Sequence, residues 1–441
     1  MQIDNATVVF RNNEEFEEYV DAVELYEQFI LNTDQNYRCK IVQEVFKSYK
    51  ALTDKQILRY GNLPTWLRRY TPAYKYVKIL QEGIMALKNS KRSAHYTIGV
   101  EIYTSLIDQE LFDVHKKANW YDEKSLLLHK YLKKPDEAAK ELINGFVMDI
   151  PEKYKDHLRP RALYIAKLKN ISIVHCVRQL LTEYGQRANT MENTIKSTTV
   201  ANLPIENKKK GKSKYMIYNK DGTMEELCVE DCAMRWYADN TTYNQGGHWE
   251  GKIIVTIFYL LFWDIIFQPV STARGIFLSK YQSYPLDLFT PDFYKNRRDE
   301  IIKRLNYLTS SSIDSVVKKM KLVWDTRPTT ELSGISRDIG WYNCEQVTLC
   351  LGVRAVRVLC ERLATDYRYS HSGFPDLTLY DTTNRKVKFV EVKSDNDKPS
   401  MKQIQWMHHL KSYNIDTEFC YVGAKTGSAK SRRPNIALSQ K

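Results

Sequence analysis

Near its C-terminal end the chain reads GFPDLTLYDTTNRKVKFVEVKSDNDKPSMKQIQWMHHL over residues 373–410. That stretch sets an aspartate, a glutamate and a lysine where two paired strands can bring them to one divalent cation. Asp376 follows Pro375, and Glu391, Val392 and Lys393 come after a short excursion. Carboxylates are hard oxygen donors suited to Mg²⁺ or Mn²⁺, and with a backbone carbonyl they leave coordination positions for water and a phosphate. A cation so held polarises a phosphodiester and helps form the attacking hydroxide. A lysine beside it positions that water and offsets charge developing on the phosphorane. An isolated Glu-x-Lys is common on solvated hairpins. The Pro-Asp before it and the glutamine-bearing helix after it give this one its weight.

The periodicity supplies the elements that must hold these groups. Leu377 and Leu379 alternate with Asp376, Thr378 and Tyr380, which is strand spacing. Thr382, Thr383 and Asn384 form turns. From Lys386 to Lys393 the alternation resumes, with Val390 and Val392 on one face and Phe389, Glu391 and Lys393 on the other. Pro399 and Ser400 open an amphipathic helix whose inward stripe is expected to carry Gln403, Met407 and Leu410. A buried amide needs a partner, so Gln403 is expected to support the site.

The charge balance suits a polyanionic partner. Lys plus Arg total 66 against 53 Asp plus Glu, a net charge of +13; such a surplus favours phosphate backbones without choosing DNA over RNA. The 30 tyrosines and 8 tryptophans include candidates for stacking on unpaired bases, although most serve as core. The opening residues are polar and then acidic, unlike a secretory signal. The longest apolar stretch, residues 253–267, is broken by Thr256 and Asp264 and is too short to span a bilayer; it is expected to be a buried helix. Eight cysteines show no regular metal spacing: Cys228 and Cys232 are close, but no second pair completes a zinc site. Free thiols in a reducing compartment are expected. His408 and His409 read as a half-exposed helix face.

Residues 373–422 resemble the VRR-NUC branch of the PD-(D/E)XK nucleases. The motif is carried by Pro375-Asp376, Glu391-Val392-Lys393, the acidic turn Asp395-Asn396-Asp397, Ser400 with Gln403, and Trp406. Upstream, YLLFWDIIF at residues 259–267, YPLDL at 284–288 and LATDYR at 363–368 resemble the Fanconi-associated nuclease family in particular. Weaker similarity reaches back to about Val8.

This resemblance implies a restriction-endonuclease-like α/β core with a central mixed sheet, behind a mostly helical N-terminal region of repeat-like helical hairpins: an α+β, multi-domain chain. It implies a metal-dependent, structure-selective DNA nuclease acting on 5′-flap or branched DNA and from 5′ ends. The alternatives are a junction resolvase and a non-catalytic branch-binding scaffold. It maps the metal set onto Asp376, Glu391, the Val392 carbonyl and Glu250, the last in His248-Trp249-Glu250-Gly251 where the family has Gly-Glu-Gly. It makes Lys393 the catalytic amine and Arg368 and Lys402 phosphate contacts. It offers Arg159, Arg161, Lys167 and Lys169 on one helix as a basic pocket for a 5′-phosphate. The family's ubiquitin-binding zinc finger and SAP-like domain have no counterpart in this sequence. A monomer at intracellular, nuclear DNA is expected, with a dimer on DNA as the alternative.

Periods of three and four predict helices over residues 14–51, 74–87, 96–109, 119–131 and 135–146, with no strict repeat. Composition shifts to Thr, Asn and Lys over 188–215. The basic run at 208–214 reads as a solvated loop that could double as an import signal or phosphate contact. A hairpin is expected over residues 215–218 and 226–229, turning at Asn219 to Gly222. The expected domains are a DNA-binding helical segment (1–75), a helical-hairpin domain resembling tetratricopeptide repeats (76–187), a basic linker and hairpin (188–235) and the nuclease domain (236–441).

Overall fold

A computed structural model describes residues 3–4, 6–169, 173–201, 203–204, 214–218, 223–327, 334–394 and 397–423. The acidic turn at 395–396, most of the basic run, the hairpin turn at 219–222 and the tail from 424 lie outside the described residues. The chain divides into two compact units, with the main boundary between Thr190 and Met191 and with Arg274–Leu278 returning to the N-terminal unit.

The N-terminal unit is helical: α1 (Asn13–Leu31), α2 (Gln35–Lys50), α3 (Asp54–Asn62), α4 (Pro72–Asn89), α5 (Ser93–Asp108), α6 (Lys117–Leu126), α7 (Pro135–Val147), α8 (Glu152–Lys155), α9 (Arg159–Lys167) and most of α10 (His175–Asn193). Residues 14–51, expected to be helical, form two helices. The Asp34 side chain accepts the Asn36 and Tyr37 N–H groups and starts α2 afresh, an N-cap that satisfies donors a continuous helix would not have exposed. One hydrophobic core runs from Phe29 to Leu181 through Leu80, Trp120 and Leu142. The helices of residues 1–75 therefore share their core with the helices from α4 to α10.

The C-terminal unit contains β1 (Lys196–Val200), β2 (Leu203–Pro204), β3 (Lys214–Tyr218), β4 (Met224–Cys228), α11 (Val229–Asn240), β5 (Gln245–His248), α12 (Lys252–Ile266), α13 (Asp292–Asn296), α14 (Arg298–Ser310), α15 (Ile313–Thr326), α16 (Trp341–Thr365), α17 (Tyr367–Ser370), β6 (Leu377–Asp381), β7 (Lys386–Ser394), α18 (Met401–Ser412) and β8 (Asp416–Val422). Five strands form a mixed sheet in the order β1-β8-β7-β6-β5. β7 runs parallel to β8 and antiparallel to β6, and β1 closes one edge parallel to β8. Within the segment expected as linker and hairpin, β1 is thus an edge strand of the main sheet. The expected hairpin is present as β3 and β4, widened by β2 into a small antiparallel sheet.

Alternation along β6 and β7 divides the core in two. Tyr380, Val387 and Phe389 face a helical layer that includes α12, α14 and α16. Leu377, Leu379, Val390 and Val392 face α11. The apolar stretch forms α12, with 12 of its 15 residues buried, and it anchors the helical layer. Among the described residues no helix is long and apolar enough to cross a membrane, and all eight cysteines are free thiols.

Candidate active site

The site lies where β6 begins and β7 ends. Leu377 pairs with Val390 in the antiparallel register, so one step further places Asp376 opposite Glu391. Residues directly opposite share a face of the sheet, and the two carboxyls meet. Asp376 Oδ2 accepts the Val392 N–H at 2.8 Å, which fixes its rotamer. Lys393 Nζ stands 2.6 Å from Glu391 Oε1.

Burial governs the electrostatics. Glu391 is 0% exposed, and its carboxyl is pushed up to about 8, first by desolvation and then by the Asp376 charge, against the pull of Lys393. Asp376 is also raised, mainly by burial, while the Val392 N–H, Lys393 and His248 act to lower it and Glu230 to raise it. Two interacting carboxyls in low dielectric resist simultaneous ionisation. Both Glu391 oxygens are buried without a well-formed hydrogen bond. A polar group so placed is costly unless something neutralises it. This donor set fits a hard divalent cation: two facing carboxylates, one with unused lone pairs, beside an amine.

Glu250 arrives by a different route. β5 pairs with β6 and ends at His248, and the Glu250 N–H then bonds the Asp376 carbonyl at 3.0 Å. That contact ties the turn to the strand bearing the first acid. Glu250 has φ +48°, a left-handed conformation that costs a residue with a Cβ roughly 1–2 kcal/mol. Its side chain is 65% exposed and lies 3.8 Å from His248 Nε2. The resemblance assigns Glu250 to the metal set with Asp376 and Glu391. Among the described residues no group of three or more His, Cys, Asp and Glu is assembled to hold a metal.

Gly246 makes the edge strand possible. It has φ +148°, and a Cβ there would stand 2.3 Å from the Thr378 carbonyl oxygen.

The remaining expected residues divide. Lys402 rests its stem on Gly373, where an added Cβ would lie 2.9 Å from Cγ; its Nζ donates to Ser372 Oγ at 2.6 Å and sits 5.1 Å from the Tyr369 ring centre. Arg368 donates through Nε to the Phe289 carbonyl. Gln403 is not on the inward stripe: it completes a capping box, its amide oxygen accepting the Ser400 N–H at 2.8 Å. The buried amide of α18 is Gln405, which accepts from the Tyr369 hydroxyl. Helical phase is the reason, because the N3 side chain turns back to the cap while position 405 turns toward Tyr369 of α17.

In the N-terminal unit the four basic candidates separate as well. Arg159 is 5% exposed and is committed to Asp156, Glu152 and the Tyr184 carbonyl. Arg161 grips Asp122 with two hydrogen bonds of 2.6 and 2.7 Å. Both arginines hold helices together, and neither guanidinium is presented for a phosphate. Lys167 ends α9 and Lys169 lies beyond it, so the four do not share a helix; both lysines are exposed. The sequence reading missed His248 and Glu230. A strand-end histidine two places before an acid was the available signal for the first, and nothing local marked the second.

A mixed sheet with two facing acids and a lysine at the strand ends, covered by helices, is the restriction-endonuclease-like nuclease core. Comparison with known proteins agrees. The VRR-NUC domain model matches residues 324–424, and the Fanconi-associated nuclease 1 TPR domain model matches residues 22–163. Fanconi-associated nuclease 1 of Danio rerio is 30% identical over 391 residues, covering 84% of this chain and 37% of that protein. The Homo sapiens protein of the same name is 26% identical over 439 residues, 97% of this chain and 42% of its own length. A crystal structure of paFAN1 bound to 1-nucleotide 5′ flap DNA with a gap shares the fold, with TM-score 0.65 and 16% identity over 96% of this chain and 65% of that one. The chain belongs to the Fanconi-associated nuclease family, in the VRR-NUC branch of the PD-(D/E)XK nucleases. It spans about two fifths of the length of these two curated relatives.

Proposed function

We propose that the chain is a divalent-metal-dependent, structure-selective nuclease that hydrolyses phosphodiester bonds in 5′-flap or branched DNA and from 5′ ends, using Mg²⁺ or Mn²⁺. The observation that carries the reading is the buried Asp376–Glu391 pair with Lys393 Nζ 2.6 Å from Glu391. Structures of paFAN1 solved with 5′ flap DNA support the substrate. Asp376, Glu391, the Val392 carbonyl and Glu250 would hold the ion. The bound cation polarises the scissile phosphate and acidifies the attacking water.

The protein's own groups do the rest. The Val392 N–H keeps Asp376 in one rotamer. Lys393 shields the Glu391 charge, directs the water by hydrogen bonding and offsets negative charge as the phosphorane forms. Lys402 and Arg368, held beside Gly373 and Phe289, contact phosphates next to the cut. Lys167 and Lys169 are the members of the N-terminal basic group left to meet a 5′-phosphate. Its work would place the protein at intracellular, nuclear DNA.

A labelled 5′-flap, with matched duplex, single-strand and RNA controls, tests the reading in Mg²⁺, Mn²⁺ and EDTA. Cleavage should require the metal. Asp376→Ala or Lys393→Ala should reduce it by about 10²-fold or more while flap binding in EDTA stays near wild type. Cleavage at the wild-type rate in either variant, or undiminished in EDTA, overturns it.

A further inference from the structure

Helix α1 carries seven carboxylates and no lysine or arginine over its 19 residues, in a chain whose net charge is +13. Among the described residues only Glu15 of these acids has a cation at ion-pair distance, from Arg59 and Arg11. Glu17, Asp21, Glu24, Gln28 and Leu31 recur at spacings of three and four and are all exposed, so they form one stripe along the helix. The stripe runs into an apolar end. Leu31 is 81% exposed, Ile30 46% and Tyr37, at the start of α2, 39%. Glu24, Glu27, Gln28, Leu31, Asn32 and Tyr37 line one open groove of about 470 Å³. Large apolar groups grouped on a surface and rimmed by charge mark interaction sites more often than isolated ones do.

We infer that this groove docks a cationic amphipathic helix of a partner protein, one that places Lys or Arg opposite the acidic stripe and a leucine-sized side chain between Leu31 and Tyr37. Charge complementarity selects the occupant. Duplex DNA is repelled by the same carboxylates, so this face is separate from any nucleic-acid surface. An acidic or neutral helix would leave the stripe unanswered. A partner helix reads a three-and-four spacing because its own side chains repeat with that period. Docking at this groove is independent of the nuclease reading and stands or falls separately.

The test uses the full chain and three labelled synthetic helical peptides of about 18 residues. The first has lysines at three-and-four spacing and one terminal leucine, the second has glutamate for lysine, and the third has serine for leucine. The first should bind saturably near physiological salt, and the other two at least about tenfold more weakly. Glu24→Lys with Glu27→Lys should weaken the lysine peptide by about tenfold or more and confer binding of the glutamate peptide. Leu31→Ser should weaken the first peptide alone. Flap-DNA affinity and cleavage should be unchanged in Leu31→Ser, which leaves the charge as it is. The charge-swapped pairing guards against a variant that has merely unfolded. Absence of saturable binding, or equal binding by wild type and both variants, overturns the inference.

Discussion

The buried Glu391 carboxyl makes metal-free stability depend on pH in a direction opposite to most acids. Its pKa rises from 4.5 to about 8 on folding. Between those values the native state holds a proton that the unfolded chain has released. Stability from this group is therefore full below pH 4.5 and is lost progressively as pH rises through 8. At about 1.36 kcal/mol per pH decade the ceiling is about 5 kcal/mol. Asp376 titrates beside it, also raised, so a loss of about 2–5 kcal/mol is expected across the window. For a unit of this size that is about 5–15 °C in Tm. The perturbation is Glu391→Gln, which keeps the shape and removes the proton equilibrium. Followed by thermal and urea unfolding in EDTA from pH 5 to 9, wild type should weaken steadily while the variant loses most of the slope. At pH 8 the variant should be the more stable protein. Mg²⁺ or Mn²⁺ should restore wild type above pH 8 and do little for Glu391→Gln. A flat wild-type profile, or a variant that declines in parallel with it, would refute the placement of an ionisable acid in this pocket.

Glu250→Gly should raise stability by up to about 1 kcal/mol, because φ +48° suits glycine, while lowering cleavage and metal affinity; a destabilised variant would contradict the strain, and calorimetry with a cleavage assay decides. Asp287→Ala should cost about 3–5 kcal/mol without touching the site, since it strands Arg297, which is 0% exposed and bonded to Asp287 at 2.6 Å; replacing both by apolar residues should recover much of the loss in urea titrations. Gly373→Ala should disturb both stability and flap affinity, for φ is +78° and the new Cβ would press on the Lys402 stem; a neutral result in both measurements would show that Lys402 is not seated there.

Much of the catalytic strand pair was legible because the relevant information is local. Period-two alternation gave β6, the turn and β7, and fixed which residues share the face bearing Asp376 and Glu391. The helix start at Ser400 followed from capping chemistry within a few residues. Where long-range pairing decides, the sequence was silent. The pairing of β1 with β8 joins Lys196 to Glu418, and no period within either strand announces the other.

Residue types and spacing by themselves determined that two acids and an amine would converge, since a strand has only two faces. Tertiary structure alone decided their charge state and their company. Burial to 0% raised Glu391, the β5–α12 turn left Glu250 outward, and Asp156, Glu152 and Asp122 claimed the two arginines that sequence offered to a phosphate. Solvation and pairing depend on what the rest of the chain packs around a group, and that is written in contacts between distant residues.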